Sequence, residues 1–370
     1  MRSSRKKRVA VAMSGGVDSS VTAGLLLEKG CEVVGVSLRL WDCQRQEPQN
    51  CSDYMGAKTV AGILGIPHIL LDLRSNFLEA VVKPFVRSYL RGQTPNPCVA
   101  CNRDFKLGVL LEWAQGQGAE SVATGHYARV VGDPSSGWYS LLRGRDRRKD
   151  QSYFLFALSQ GQLARTLFPL GELCKEEVRD RARRFGLPVA DRPESQDICF
   201  GDHRALVEFF AREGDLGSGE IVDRSGKVLG THQGIHRFTI GQRKRLGVTA
   251  SHPLYVLEIE EESKRVVVGK REELGCQGLV AHSVNWIEVP EKDEILAEVQ
   301  VRYRSPSIPC LVRPSGNGRF EARFCDVFPS VAAGQAAVFY QGDRVLGGGW
   351  IERAISEEAI SSQSKTLTES

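Results

Sequence analysis

The sequence lacks any apolar run long enough to cross a bilayer, so we predict no membrane-spanning helix and no membrane association. The first residues are basic, but no apolar segment of the secretory type follows them, so we expect a cytoplasmic protein. Ten cysteines are present, yet without an oxidising compartment a disulfide framework is not expected. Most of them are therefore expected to be small buried hydrophobes.

The chain also lacks a strong excess of charge of one sign. Lys and Arg number 49 against 45 Asp and Glu, a net charge of +4, so any surface for nucleic acid has to be local. Basic clusters occur at residues 143–149, 179–184 and 243–245. One such cluster is usually a solvated loop or helix face, but several in a chain of modest charge indicate a path for phosphate groups.

A glycine-rich turn stands near the start of the chain. Residues 14–20 read Ser-Gly-Gly-Val-Asp-Ser-Ser, between an apolar strand-like run at 8–13 and a helical pattern that ends near Gly30. A turn of this kind presents backbone N–H groups at the positive end of a helix, which favours a phosphate ligand. Asp18 is a carboxylate suited to magnesium. The turn contains no Lys, which excludes a Walker-type P-loop.

The pattern of elements predicts the fold class. Strand-like segments at 8–13, 31–38, 68–73 and 121–126 alternate with helix-like segments at 18–29, 53–64, 76–91 and 102–115, which indicates a Rossmann-like α/β domain with a parallel sheet. Hairpin patterns at 220–231, 255–270, 310–326 and 337–351 indicate a small mixed central domain and an all-β barrel or sandwich at the C-terminus. We predict domains at 1–201, 202–275 and 276–355, followed by a disordered tail at 356–370.

Two cysteines form a Cys-x-x-Cys segment after a pair of prolines. Residues 93–102 read Gln-Thr-Pro-Asn-Pro-Cys-Val-Ala-Cys-Asn, and a helix is expected to begin near Asn102, a good N-cap residue. Cys101 would then lie beside a helix N-terminus, where the thiolate is favoured, so it is a credible nucleophile. A further cysteine, Cys199, follows Asp197 almost a hundred residues later.

These strings, taken together, resemble the tRNA 2-thiouridylases, the MnmA family. The resemblance is carried in order by residues 14–20, 94–102, 123–129, 149–155, 195–200, 239–246, 301–304 and 334–351. It implies an enzyme of the PP-loop ATP pyrophosphatase superfamily that uses ATP and Mg²⁺ to adenylate the C2 oxygen of the tRNA wobble uridine. Sulfur then replaces that oxygen and AMP departs.

The resemblance also implies roles for the cysteines. Cys199 corresponds to the residue that carries sulfur as a persulfide, and Cys101 to the nucleophile. Cys101 can attack the persulfide, which releases hydrosulfide and leaves a transient Cys101–Cys199 disulfide. Alternatively, the terminal sulfur attacks the adenylated uridine directly and Cys101 resolves the product. The sequence leaves both orders open.

Other positions are carried over motif by motif. The ATP-binding positions are Ala12, Met13, Ser14, Gly15, Gly16, Val17, Asp18, Ser19, Leu38 and Gly125. The segment that meets the target base is Asn96, Pro97 and Cys98. The positions that contact tRNA are His126, Lys149, Asp150, Gln151, Arg302, Tyr303 and Gln335, and His126 is not assigned general-base chemistry. The basic cluster at 143–149 is expected to contact the RNA backbone.

The implied partners are the anticodon arm of tRNA, with Lys, Glu and Gln acceptors expected, and a cysteine desulfurase or sulfur-relay protein as the sulfur donor. We expect a monomer. The target uridine has to flip out of the anticodon loop toward Cys101, as in other enzymes that modify bases.

One position departs from the family pattern, where an acidic residue is common at the place of Cys98. With Cys101 and Cys199 it could complete three ligands of a 4Fe–4S cluster, and zinc is a weaker alternative. Two rival functions remain open. One is a different PP-loop AMP-forming enzyme that modifies RNA, and the other is a non-catalytic RNA-binding protein with a zinc knuckle.

Overall fold

The computed structural model describes residues 6–41, 52–193, 200, 207 and 217–356. The chain divides into two compact units. The first contains residues 1–81, 97–200 and 343–346, and the second contains 82–96, 201–342 and 347–370. Of the predicted tail at 356–370, residues 357–370 lie outside the described residues, and the predicted domain limits remain a prediction.

A parallel sheet forms the centre of the first unit. Its strand order is β3-β2-β1-β4-β7, and every pairing is parallel. The strands are β1 (Arg8–Ala12), β2 (Glu32–Arg39), β3 (His68–Asp72), β4 (Ser121–Ala123) and β7 (Thr166–Leu167). The central strand β1 is an apolar run, as expected for a strand covered on both faces, and its Val9 and Val11 are fully buried. The predicted Rossmann-like sheet is confirmed.

Helices accompany this sheet in the first unit. They are α1 (Val17–Glu28), α2 (Ser52–Leu64), α3 (Arg74–Phe77), α5 (Pro97–Ala100), α6 (Leu110–Gly116), α7 (Gln160–Leu163) and α8 (Lys175–Arg184), with α4 (Lys83–Leu90) in the second unit. Helices α1 and α8 lie close together because Gly24 has no side chain. A Cβ at Gly24 would come within 2.5 Å of the Phe185 ring, which follows α8.

The predicted helix over 76–91 is divided in the structure. A π-helical turn, Leu78–Val82, separates α3 from α4. Proline at the first turn of α4 accounts for the interruption, since Pro84 has no N–H to donate to the preceding turn.

A hairpin that the sequence did not reveal completes the first unit. Strands β5 (Ala128–Gly132) and β6 (Tyr139–Arg143) pair antiparallel around a turn that is held by the Asp133 carboxylate. Strand β6 also pairs with the first residues of β17 (Arg344–Ile355), with Leu142 opposite Arg344 and Leu141 opposite Val345.

A small mixed sheet lies at the start of the second unit, as predicted for the central domain. Its order is β10-β11-β8-β9, with β8 and β11 parallel and the other pairs antiparallel. The strands are β8 (Gly219–Asp223), β9 (Val228–His232), β10 (Tyr255–Glu260) and β11 (Arg265–Gly269). Alternate residues such as Val256, Val266 and Val268 point into a core that is closed by Phe238, Leu246 and Leu254.

The C-terminal strands form the predicted all-β barrel. Six strands follow in the order β12-β15-β14-β13-β16-β17, and pairing of β12 with β17 closes the ring. They include β12 (Cys276–Trp286), β13 (Ile295–Gln300), β14 (Ile308–Pro314), β15 (Phe320–Phe328) and β16 (Ala336–Gln341). Phe320 and Phe339 fill the interior with ring centroids 4.4 Å apart. Closure removes the exposed edges that an open sheet would present.

In the described part of the chain, no helix is both long enough and apolar enough to cross a membrane.

Candidate active site

The phosphate loop, residues 14–20, joins the central strand β1 to α1. Gly15 adopts φ +75°, a left-handed conformation that favours glycine. Gly16 occupies the N-cap position of α1, and no described side chain caps that helix end. The loop therefore presents the positive end of a helix at the carboxyl end of a parallel strand, the edge of such sheets at which ligands bind.

Hydroxyl groups hold the loop in its shape. Ser19 Oγ and Ser20 Oγ both donate to the carbonyl of Gly16, at 3.2 and 2.8 Å. The backbone N–H of Ser14 donates to Ser19 Oγ at 3.2 Å. Ser19 and Ser20 are buried and Ser14 is exposed. Of the three serines, Ser14 is therefore the one that is open to a ligand.

Asp18 is held by two residues from distant parts of the chain. Lys175 Nζ lies 2.8 Å from each carboxylate oxygen of Asp18, and Tyr127 Oη donates to Oδ1 at 2.8 Å. The Lys175 side chain is only 7% exposed and the Asp18 side chain is 32% exposed. An ammonium group thus neutralises the carboxylate that the sequence suggested for magnesium.

Sequence reasoning missed both Lys175 and Tyr127. One signal was available for Lys175, which is the first residue of α8. A lysine there is unfavourable because the N-terminus of a helix carries partial positive charge. Such a lysine needs a compensating anion, which the structure supplies as Asp18.

Gly125 packs directly against the phosphate loop. A Cβ at this position would lie 2.8 Å from Asp18 C and from Ser19 N. Only glycine therefore allows the chain after β4 to approach the loop this closely. The two ATP motifs predicted from the sequence, the loop and Gly125, are brought together in the structure.

The remaining predicted ATP positions flank the loop. The Met13 side chain is buried, and its backbone donates to Val36 O at 2.8 Å and accepts from Ser37 Oγ at 2.8 Å. Leu38 is half-buried on β2, two residues beyond Val36, which pairs with Ala12. His68 Nε2 lies 2.9 Å from Ser37 Oγ, and burial, followed by the charge of Lys58, lowers the pKa of His68.

Arg192 supports the loop from another side. Its Nη1 donates to the carbonyl of Gly15 at 3.2 Å. Arg179 Nη1 in turn donates to the carbonyl of Ala190 at 2.6 Å. Arg179, from the predicted basic cluster at 179–184, thus acts within the fold on a backbone carbonyl.

The two neighbouring cysteines lie at the start of a helix, but not as predicted. The helix begins at Pro97, whose ring fixes a helical φ, and not near Asn102. Cys101 opens the π-helical segment Cys101–Val109 and is 4% exposed, whereas Cys98 is half-buried in the first turn. Cys98, and not Cys101, is therefore the thiol nearest the helix N-terminus.

Asn102 follows Cys101 and is also buried. Its Nδ2 donates to the carbonyl of Phe154 at 3.3 Å, but its Oδ1 has no hydrogen-bond partner among the described residues. Buried oxygens without a partner are uncommon and destabilising. This acceptor is consequently available to a polar ligand beside Cys101.

Cys199 lies outside the described residues, whereas the next residue, Phe200, is described and buried. The Phe200 ring packs against Phe77 with centroids 5.6 Å apart, and Phe77 packs against Phe105 at 5.3 Å. Phe105 belongs to the same π-helical segment as Cys101. One aromatic cluster therefore links the residue after Cys199 to the helix of Cys101.

Three predicted tRNA positions in the first unit have structural partners. His126 Nδ1 lies 2.6 Å from Thr124 Oγ1, and burial, followed by the charge of Lys106, holds the pKa of His126 well below its usual range. The Asp150 carboxylate is buried and accepts from Gly144 N at 2.9 Å and from Ser152 Oγ at 2.9 Å.

Gln151 is the third of these predicted tRNA positions. Its Oε1 accepts from Tyr127 N at 3.1 Å, so Gln151 supports Tyr127, whose hydroxyl donates to Asp18. Lys149, the remaining member of this group, is half-buried, as is Asn96 at the start of the target-base segment. Asp150 and Gln151 thus use their side chains within the fold.

The predicted tRNA positions of the second unit lie at turns of the barrel. Gln335 Nε2 donates to the carbonyl of Thr94 at 2.7 Å, and Thr94 N donates to Ala333 O at 2.8 Å. This turn therefore holds the segment that leads to Asn96. Arg302 is exposed, and Tyr303 is half-buried beneath the Arg304 guanidinium, 5.2 Å from its ring centroid.

The basic cluster at 143–149 is largely neutralised by carboxylates. Arg143 pairs with Asp150, Arg145 with Glu177, Arg147 with Asp343, and Arg148 with Asp146 and Glu176. Ion pairs of this kind reduce the net positive field that a phosphate would meet.

Comparison with known proteins covers almost the whole chain. Three family models match: a tRNA methyl transferase HUP domain at residues 7–203, a tRNA methyl transferase PRC-barrel domain at 207–270, and an aminomethyltransferase beta-barrel domain at 276–351. A solved 4-thiouridine synthetase in complex with RNA and bound ATP covers 56% of this chain and 50% of that chain, at 15% identity and a TM-score of 0.34, which is too low to support an inference.

Curated relatives are far more similar. The tRNA-specific 2-thiouridylase MnmA of Geotalea uraniireducens is 48% identical over 96% of this chain and 98% of its own length. The protein of the same name from Geobacter metallireducens is 48% identical over 96% and 100%. That of Syntrophotalea carbinolica is 49% identical over 94% and 99%. The chain belongs to the MnmA family of tRNA-specific 2-thiouridylases.

Proposed function

We propose that this protein is an AMP-forming tRNA-uridine 2-sulfurtransferase, which uses ATP to replace the C2 oxygen of the wobble uridine with sulfur. The observation that carries the proposal is the phosphate loop, an uncapped helix N-terminus with Asp18, Lys175 and Gly125 fixed around it. Such a loop binds phosphates without the lysine of a Walker motif. Membership in the MnmA family indicates that the group adenylated by ATP is a uridine of tRNA.

The loop would bind the phosphates of ATP through its backbone and the exposed Ser14 hydroxyl. Because Lys175 neutralises Asp18, ATP would meet no unpaired carboxylate there. Magnesium is usually held by one or two carboxylates together with substrate phosphates. We therefore propose that Mg²⁺ arrives with ATP and shares Asp18 with Lys175.

The proposed thiolation has four steps. The uridine O2 attacks the α-phosphorus, pyrophosphate leaves, and an adenylated base forms. The Cys101 thiolate attacks the persulfidic Sγ of Cys199, which forms a Cys101–Cys199 disulfide and releases hydrosulfide. Hydrosulfide adds to C2, and AMP departs with the former O2. An external thiol then reduces the disulfide.

Direct attack of the persulfide on the adenylated base, resolved by Cys101, is the second order of events. Both orders require Cys101 and Cys199 to approach. The proposal is supported by the aromatic contacts that join Phe200 to the helix of Cys101 through Phe77. Burial of Cys101 also limits hydrolysis and unwanted oxidation of the sulfur intermediates.

A 4Fe–4S cluster is the alternative carrier of the sulfur. Cys98 and Cys101 are i, i+3 neighbours on one helix, and the third ligand would be Cys199. The described residues contain no set of three His, Cys, Asp or Glu side chains arranged to hold a metal ion, and Cys199 is not among those residues. We propose the persulfide route, and an iron and acid-labile sulfide assay of anaerobically purified protein separates the two.

The proposed substrate is the anticodon arm of tRNA, with Lys, Glu and Gln acceptors expected. Asn96, Pro97 and Cys98 would meet the flipped uridine, and Arg302, Tyr303 and Gln335 the arm itself. Proteins recognise single-stranded loops through bases that leave the stack. We further propose a monomeric enzyme that takes sulfur from a cysteine desulfurase or a relay protein.

The family models are described as methyl transferase domains, whereas the curated relatives are named thiouridylases. Methyl transfer has no use for an adenylating loop or for the buried Cys101. Thiolation uses both, so the residues favour thiolation.

The deciding experiment is mass spectrometry of tRNA nucleosides after incubation with ATP, Mg²⁺, unmodified tRNA and sodium sulfide. We expect 2-thiouridine and AMP in equal amounts. The Ser14→Ala/Asp18→Ala variant should form neither, because its phosphate loop lacks the exposed Ser14 hydroxyl and the Asp18 carboxylate. Absence of tRNA-dependent AMP from the wild-type protein would refute the enzymatic assignment.

A further inference from the structure

A second basic segment of the protein stands outside the site described above. The basic loop, residues 242–254, precedes β10 in the second unit and begins with Gln-Arg-Lys-Arg. Arg243, Lys244 and Arg245 are all exposed. The three charges therefore form a positive patch on the small mixed sheet.

The basic loop is anchored in the core of that sheet. Leu246 and Leu254 are 7% and 9% exposed and pack in the same cluster as Val256. Gln242 Oε1 accepts from Thr239 N at 3.1 Å, and its Nε2 donates to Lys244 O at 2.9 Å. The loop thus has a defined position before any ligand binds, which reduces the ordering cost of binding.

The loop borders a cavity of about 520 Å³ that is largely open to solvent, and its volume is within the range of roughly 300–1,000 Å³ that small ligands occupy in proteins. The side chains that can donate hydrogen bonds into it are Arg243, Arg245, Thr249, Ser251 and His252. None of the residues that line the cavity is acidic. Arginine forks and hydroxyl groups without carboxylates are the chemistry that recognises phosphate.

The charge of this loop is not compensated. Across the described part of the chain, no carboxylate lies within ion-pair distance of Arg243, Lys244 or Arg245. Other arginines of the same unit are paired: Arg224 with Glu273, and Arg265 with Glu220. The cluster at 143–149 is also paired, as described above. Unlike the cluster at 143–149, the one at 243–245 therefore offers positive charge that no described carboxylate pairs.

We propose that the basic loop is a phosphodiester-binding site for the backbone of the substrate tRNA. This inference rests on the proposed function, since tRNA is the substrate there. An RNA backbone supplies the regularly spaced anions that two arginines and a lysine on one loop can neutralise. The cavity has room for one phosphate with its ribose, and the hydroxyls of Thr249 and Ser251 complement the 2′-OH and phosphate oxygens.

The test compares the binding of an unmodified tRNA transcript by full-length variants between 50 and 200 mM KCl. In Arg243→Gln/Arg245→Gln we expect affinity to fall about 10- to 100-fold and the slope of log Kd against log[KCl] to decrease by about 1.5–2, because two counterion-releasing contacts are lost. The control Arg224→Gln/Arg265→Gln removes the same charge from paired arginines and should keep the slope. Arg243→Lys/Arg245→Lys should restore most of it.

The outcomes separate this inference from the proposed function. A reduced slope supports the phosphodiester site even if the wild-type protein forms no 2-thiouridine, in which case only the reaction assignment fails. An unchanged slope in a variant with the wild-type melting temperature overturns the site, even if thiolation proceeds normally. The phosphodiester site is also overturned if the variant binds tRNA normally and uses sulfide, but no longer thiolates tRNA with a protein sulfur donor. That result would assign the loop to an acidic partner protein.

Discussion

The Lys175→Met substitution tests whether the positive charge of Lys175 is needed for the Asp18 carboxylate to lie next to a bound nucleotide. The substitution removes the ammonium group that lies 2.8 Å from both oxygens of Asp18. Loss of one partner of a fully buried ion pair costs about 3–5 kcal/mol. The Asp18 side chain is 32% exposed, so solvent screening reduces the expected loss of unfolding free energy to about 1.5–3 kcal/mol.

The loss is measurable as a melting temperature and as ATP affinity. For a unit of this size it corresponds to a fall in Tm of about 3–12 °C. The unpaired Asp18 carboxylate would also repel the ATP phosphates, which weakens ATP binding about 5- to 150-fold, or roughly 1–3 kcal/mol. Differential scanning fluorimetry and isothermal titration calorimetry give the two values. Lys29→Met, an exposed lysine at the end of α1, is the matched control and should change neither.

The double variant Asp18→Asn/Lys175→Met distinguishes charge compensation from direct contact with ATP. Since no charge then remains unpaired, we expect stability to recover by at least half of the loss. ATP affinity measured without Mg²⁺ should recover with it if Lys175 acts only through Asp18, and should stay low if Lys175 contacts phosphate itself. A Lys175→Met protein with wild-type Tm and wild-type ATP affinity would refute the reasoning.

Three further predictions concern single positions. Gly125→Ala should cost about 1–3 kcal/mol of stability and most of the AMP formation, since the new methyl group would lie 2.8 Å from the loop backbone. The control Gly62→Ala on α2, where a Cβ would meet no described atom within 4 Å, should stabilise the protein by about 0.5–1 kcal/mol in thermal melts. Cys101→Ser should form no 2-thiouridine when a protein persulfide donor replaces sulfide in the nucleoside assay, but Cys276→Ser should remain active, because burial raises the pKa of Cys276 to about 11 and keeps that thiol protonated. Equal activity of the two variants with that donor would contradict the role of Cys101. The lowered pKa of His126 means that the unfolded chain binds the proton more tightly than the folded chain. The contribution of the neutral His126 to stability is therefore complete above about pH 6.5 and is lost as the pH falls below that value. The Tm of His126→Asn should fall less than that of the wild type between pH 7 and 5, and parallel curves of Tm against pH would argue against a buried neutral imidazole.

The parts of the fold that sequence reasoning predicted were those with a strong local pattern. Strand β1, the phosphate loop and α1 follow from an apolar run, two glycines and a helical pattern within about 20 residues. The barrel was predicted from its turns, but β12 and β13 were missed. Strand β12 pairs with β15 and β17, which are distant in sequence, so no short hairpin signal marks it. Strand β13 pairs with the next strand, β14, but residues 301–307 connect the two, and this connection is longer than the tight turns that mark a hairpin.

Contacts between residues that are distant in sequence also limited the prediction of the site. Asp18 was identified, but its partners Tyr127 and Lys175 lie 109 and 157 residues away along the chain. No local pattern reveals such a pairing, which only the sheet and the α1–α8 contact create. The start of the cysteine helix was wrong for a local reason. Asn102 was preferred as an N-cap, whereas Pro97 at the first helical position was the stronger signal.

The pairing of β6 with the first residues of β17 has a consequence for synthesis on the ribosome. The β6 residues Leu141 and Leu142 pair with Val345 and Arg344, which emerge about 200 residues later. At roughly 5–20 residues per second, that edge stays unpaired for about 10–40 s, during which it is a template for aggregation. Ribosome-bound chains that end before residue 340 should therefore be cleaved by protease within the β5–β6 hairpin, and chains released at full length should resist. The nascent β6 edge is thus exposed to aggregation until residue 345 has left the ribosome.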